Sequence, residues 1–143
     1  MKRKFLSIAI LLFFTIGFTA CTKEWASLTN TKWQLLGFVD AVSGEMKEVK
    51  TIGNLYTLTF YKNGKIFAIS SDDSYEGKYK INYINHSISI TTIYSTLIGD
   101  DEVGNLYMEI LEEKVNSFSA QENELKLYYN DKQNYLLYKP QKK

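Results

Sequence analysis

The chain has 143 residues, with 17 basic residues, 16 acidic residues, one histidine and one cysteine. That is one domain's length with no basic excess, which argues against nucleic acid or anionic lipid as partners. One histidine cannot build a His-rich metal site.

The chain opens with Met1-Lys2-Arg3-Lys4, runs through an apolar stretch from Phe5 to Phe18, and reaches Thr19-Ala20-Cys21. A mainly apolar run of fourteen residues falls short of the roughly 20 that a membrane span needs, but it fits a secretory leader. An ordinary signal-peptidase cut needs small residues at −3 and −1. Here Ala20 satisfies −1, whereas Phe18 stands at −3. A bulky apolar residue there, followed by Cys at +1, resembles the lipobox of bacterial lipoproteins. The expectation is a signal peptide over 1–20, acylation of Cys21, and a tether over 21–30. Two or three acyl chains on Cys21 supply the two or more signals that stable anchoring requires. The protein is then expected in the cell envelope, lipid-anchored to a membrane (the outer one by preference), with its periplasmic or surface face open.

Removing Lys2, Arg3 and Lys4 with the leader leaves 14 basic against 16 acidic residues and no arginine. Bidentate grip on phosphate or carboxylate is mainly an arginine function. With Cys21 taken by lipid, no thiol remains for a disulfide, a nucleophile or a metal. Stability must come from a core rich in aromatic residues, and eleven tyrosines, two tryptophans and four phenylalanines remain to build it.

From Thr31 onward the pattern is mostly of period two, the signature of half-buried strands. Thr31 to Val39 reads as the first strand and Ala41 to Asn54 as a loop. Leu55 to Tyr61 alternates, with Tyr56, Leu58 and Phe60 on one face. Asn63-Gly64 then predicts a two-residue type I′ turn that pairs Phe60 with Phe67 and Leu58 with Ile69. A second hairpin is expected over Tyr75 to Ile93. Its turn at Asn85-His86 would pair Ile81 with Ile90 and leave His86 in water. Val103, Leu106, Tyr107, Ile110 and Leu111 then follow helical spacing, with Asp100, Asp101 and Glu102 where a helix N-terminus favours acids. Val115 to Ala120, Leu125 to Asn130 and Tyr135 to Lys139 return to strand. Five strands, a helix and three strands imply a mostly β (α+β) fold over 31–140, ahead of a 141–143 tail. A curved antiparallel sheet or small barrel of about eight strands, with the helix between the fifth and sixth, accommodates that order.

No catalytic constellation is legible. His86 at a hairpin tip is poorly placed for a Ser-His-Asp set. Asp72, Asp73 and Tyr75, in the Ser70 to Gly77 segment, form the candidate partner-binding loop. Three acids and three serines there suit hydrogen-bonded recognition of a polar partner; a solvated connector is the alternative. No metal site and no cofactor are expected.

The order of these elements resembles the META/HslJ-like domain of small bacterial lipoproteins. The matching segments are Leu28 to Leu35 around Trp33, Tyr56 to Phe60 with Asn63-Gly64-Lys65-Ile66, Gly77-Lys78-Tyr79, the helix, and Leu125-Lys126-Leu127. Many members carry Gly-Cys-Asn ahead of Gly-x-Tyr; this chain has Ser70-Ser71-Asp72-Asp73 instead. Thr22-Lys23-Glu24 resembles the export tags of Bacteroidetes surface lipoproteins. The resemblance implies a non-enzymatic envelope lipoprotein with a binding or stress-related structural role, acting on an envelope protein or small polar ligand. A second resemblance, to lipocalin-like lipoproteins, implies a small-ligand carrier. In lipocalins, however, the main helix follows the barrel strands.

Overall fold

The computed structural model describes residues 28, 29 and 31–141; the leader and Cys21 lie outside them. In chain order the strands are β1 (Lys32–Asp40), β2 (Met46–Glu48), β3 (Thr57–Phe60), β4 (Lys65–Ile69), β5 (Ser74–Asn82) and β6 (Ser87–Ser95). Helix α1 (Glu102–Glu109) follows and runs into a π-helical turn at Ile110–Lys114. Then come β7 (Ser117–Gln121), β8 (Glu124–Tyr129) and β9 (Asn134–Pro140).

β1 and β3 to β9 pair in succession, and β9 pairs back onto β1, closing an eight-stranded antiparallel barrel. Five barrel strands precede the helix and three follow it, as the sequence order implies. β2 is an extra strand within the expected 41–54 loop. It pairs with Gly37 to Val39, while β3 takes Lys32 to Gln34 on the same edge of β1.

Both hairpin registers differ from expectation. In the first, Phe60 faces Ile66 and Leu58 faces Ala68. The loop therefore has three residues, Lys62 to Gly64, and only Gly64 takes positive φ, at +83°. Asn63 uses its side chain to accept from the Lys65 N–H (3.1 Å) rather than adopting the left-handed conformation. This is a type I turn closed by a left-handed glycine, the common three-residue hairpin. The one-residue shift exchanges faces: Ile66 and Ala68 point inward, while Phe67 and Ile69 lie on the outer side, half-buried. In the second hairpin Ile81 pairs with Ile88 and Tyr79 with Ile90. That is a shift of two, which keeps the inner face and leaves a four-residue loop, Tyr83 to His86. His86 sits exposed at that tip with positive φ.

The interior is filled. Trp33, Phe60, Tyr107 and Tyr138 are fully buried, among Leu35, Leu58, Leu111, Leu125, Leu127 and Leu136. Their polar atoms are satisfied. The Trp33 indole donates to the Leu28 carbonyl (3.1 Å), and the Tyr138 hydroxyl donates to that of Tyr107 (3.2 Å). Burying an aromatic ring with a paired polar tip removes a large apolar area from water without an orphaned donor. Leu28, assigned to the tether from sequence, is itself buried in this core.

The helix covers the weakest seam. β6 and β7 pair only at Ser87 and Ser117, with flanking bonds from Ile88 N–H to the Asn116 carbonyl and from Phe118 N–H to the His86 carbonyl. Alongside the rest of β6 lies the π-helical turn. Gly104, Tyr107, Met108, Ile110 and Leu111 are buried; Leu106, expected on the inner stripe, is partly exposed. The π turn adds a residue to the helical repeat: the Val115 N–H bonds to the Ile110 carbonyl, so both side chains face the core. Ile110→Ala should therefore cost about 2–5 kcal/mol in denaturant unfolding, whereas Leu106→Ala should cost well under 1 kcal/mol.

Candidate functional site

At one end of the barrel two loops meet: 70–73, between β4 and β5, and 96–101, between β6 and α1. Each contributes one aspartate that satisfies the backbone of the other. Asp73 accepts from the Thr96 hydroxyl (2.6 Å), the Ile98 N–H (2.8 Å) and the Gly99 N–H (3.0 Å). Asp100 accepts from the Asp72 N–H (2.9 Å), the Asp73 N–H (3.1 Å), the Ser71 hydroxyl (3.0 Å) and the Tyr75 hydroxyl (2.7 Å). Its fifth donor is the Ser70 hydroxyl, at 2.5 Å.

The network extends in both directions. Ser71 Oγ accepts from the Asp101 N–H (3.0 Å), and Thr96 Oγ1 accepts from the Ser74 N–H (3.0 Å). Asp101 is the N-cap of α1, its carboxylate accepting from the Gly104 N–H at 2.7 Å. Gly104 allows this close approach: a Cβ there would lie 2.4 Å from Ser71 Oγ. Tyr56 donates to Asp101 Oδ1 (3.4 Å) and packs edge-on against Tyr107, tying the latch to the core. Tyr56 holds φ +54°, strained for a side chain of its size. Its backbone is fixed by Ser70, Leu35 and Gln34: its N–H donates to the Ser70 carbonyl, and its carbonyl accepts from the Leu35 N–H and the Gln34 amide.

Electrostatics follow this geometry. Burial alone would raise the pKa of Asp100, but its hydrogen bonds from Ser70, Tyr75 and the two backbone amides outweigh that and hold it at about 2. The Thr96 hydroxyl lowers Asp73, against burial, with help from the Ile98 and Gly99 amides. Burial and the acceptor on Asp100 push Tyr75 well up. Two like charges this near each other stay ionised because each carries its own set of donors.

Of the three loop residues selected from sequence, Asp73 is buried with its carboxylate engaged. Tyr75 is half-buried on Asp100, and Asp72 is exposed with only its N–H in the network. Asp100, the residue that brings the loop together, is legible in the sequence only as an acid at the helix start. Its spacing from Ser70 carries no local signal, because the contact spans thirty residues. Among the described residues no group of three or more His, Cys, Asp or Glu side chains could hold a metal ion. No helix among them is long and apolar enough to cross a membrane.

No protein-family model matches the chain. A "Putative lipoprotein" of Tannerella forsythia is 33% identical over 149 aligned positions, covering 97% of each chain. The chain belongs to that protein's family. The crystal structure of a DUF4847 family protein from Bacteroides vulgatus aligns with a TM-score of 0.65 at 14% identity, over 81% of this chain and 96% of that one. At that identity the likeness concerns the fold alone. The barrel is thus shared with a solved structure, while the alignment to the lipoprotein relative spans nearly the whole chain.

The lowered pKa of Asp100 makes a pH prediction. Its folded value lies below the unfolded value of 3.8, so its contribution is complete above that pH and is lost as pH falls towards 2. Between about pH 5 and pH 2 the native protein should lose on the order of 1–2 kcal/mol more stability than Asp100→Asn, allowing for partial exposure. Chemical denaturation at stepped pH checks this. Parallel pH profiles for the two proteins would place the proton uptake elsewhere.

Proposed function

We propose that this protein is a non-enzymatic envelope lipoprotein, anchored through acylated Cys21, whose rigid filled barrel presents its surfaces to a partner. The observation that carries this reading is the packed interior. Trp33, Phe60, Tyr107 and Tyr138 occupy the volume that a carrier would give to its ligand. At the loop end Asp73 and Asp100 are spent on joining the two loops, their carboxylates occupied by donors. The leader, with Phe18 at −3 and Cys21 at +1, and the lipoprotein name of the Tannerella relative support the anchor.

Within this reading, the META/HslJ-like resemblance is our assignment of the domain. Its support is the helix between the fifth and sixth barrel strands. The outer membrane is our assignment of location. A lipocalin-like carrier is the second reading, favoured by the closed eight-stranded barrel, a strand number that such carriers share.

Metabolic labelling with palmitate tests the anchor. Label should enter the native chain and be absent from Cys21→Ser, which should leave the membrane fraction. Equal labelling of both chains would overturn it. A fluorescent fatty acid or retinoid that bound the folded domain stoichiometrically would favour the carrier.

A further inference from the structure

The near-neutral total charge conceals a segregation. The barrel has a hairpin end, formed by the turns at 61–64, 83–86 and 122–123, and a loop end, formed by 41–45, 70–73, 96–101 and 130–133. Asp40, Glu45, Asp72, Asp73, Asp100, Asp101 and Asp131 lie at the loop end against Lys132, whereas the hairpin turns carry Glu122 and Glu124, the latter paired with Lys126. The outer face beside the hairpin end is basic: Lys62, Lys65, Lys78 and Lys80 are all exposed there. Lys65 and Lys78 stand directly opposite one another on β4 and β5, a like-charge pairing that costs stability. Among the described residues none of the four forms an ion pair. Glu76, one pleat along β5 on the same face, is the one acid in the groove of about 430 Å³ that Lys65 and Lys78 line. Tyr61 lines the same groove, 47% exposed, and Ile84 projects from the neighbouring hairpin tip, 93% exposed.

The chain enters the barrel at this same end. Lys32, the first residue of β1, lies at the hairpin end, and the buried Leu28 carbonyl takes the Trp33 indole. Only seven residue steps separate Leu28 from Cys21, a reach of at most about 25 Å. A lipid on Cys21 therefore holds the hairpin end near the bilayer and leaves the loop end outermost.

We infer that the anchored barrel rests on an anionic phospholipid surface through this face. Lys62, Lys65, Lys78 and Lys80 meet the phosphates, and Tyr61 and Ile84 enter the interfacial layer. The inference rests on the lipid-anchor reading. It replaces the expectation from total charge, because attraction to a surface is set by the face presented within a Debye length and not by the sum over the molecule. Tyrosines and an aliphatic tip among lysines are the side chains that suit the headgroup boundary. The acidic loop end is repelled by the same surface, so charge and tether favour one orientation.

The test uses mature lipidated protein in vesicles of phosphatidylcholine alone, or with phosphatidylglycerol at roughly two to one. Ile84→Cys carries an environment-sensitive fluorophore, and Val42→Cys, at the loop end and 82% exposed, carries it as control. With Cys21 acylated, each engineered thiol is unique. Lipid-borne quenchers should reduce the emission at position 84 about threefold more than at position 42 on the anionic vesicles, with little difference on the neutral ones. Replacing the four lysines together by glutamine should abolish that difference while the protein still floats with both vesicles. Flotation with equal quenching at both positions, or quenching indifferent to phosphatidylglycerol or to the lysines, would overturn the docking face and leave the anchor standing. A chain that floats with neither vesicle would overturn the anchor and, with it, this inference.

Discussion

Two aspartates that cap each other's loops are the constraint on which the loop end of this barrel depends. Asp73 fixes the segment leading out of β6, and Asp100 fixes the segment joining β4 to β5. A buried-side carboxylate with five donors is stable as an anion because each donor replaces a water it has lost. The arrangement holds Asp101 where it caps α1 and holds Gly104 against Ser71. Without it, the helix would lose its starting point and the barrel its cover over the sparsely paired β6–β7 seam.

The latch and the core depend on each other through Tyr56. Its ring meets Tyr107 inside, its hydroxyl reaches Asp101, and its strained backbone is tied to Ser70 and Gln34. A left-handed conformation at a large aromatic residue persists only where surrounding bonds over-determine it. Here those bonds come from β1 and from the latch loop together. The outcome is a closed barrel with a rigid, acidic loop end and a lysine-bearing hairpin end, a polarity that suits a protein tethered by one terminus.

Period-two alternation and the helical spacing at Tyr107, Ile110 and Leu111 were enough to read the strand order, the helix and its position in the chain. What local pattern could not supply was register. Asn63-Gly64 is compatible with a two-residue or a three-residue loop, and the choice exchanged Phe67 for Ile66 on the inner face. The apolar spacing puts Leu106 on a stripe with Val103 and Ile110; the buried stripe instead runs through Gly104, Tyr107, Met108 and Leu111, with Gly104 set against Ser71. The candidate loop was visible as a cluster of Asp, Ser and Tyr. Its principal contact was not, because Asp100 meets it only after β5 and β6 have formed. Cys21 was legible from the leader alone and lies outside the described residues.

The central claim is that Asp73 and Asp100 act as one latch rather than as two separate loop caps. A double-mutant cycle of Asp73→Ala and Asp100→Ala, read by denaturant unfolding at neutral pH, tests it most directly. Once either carboxylate is removed, the loops it aligned are released, so the second removal should cost much less. The account predicts a coupling of about 1 kcal/mol or more. Losses that add within about 0.5 kcal/mol would contradict it and leave two independent caps.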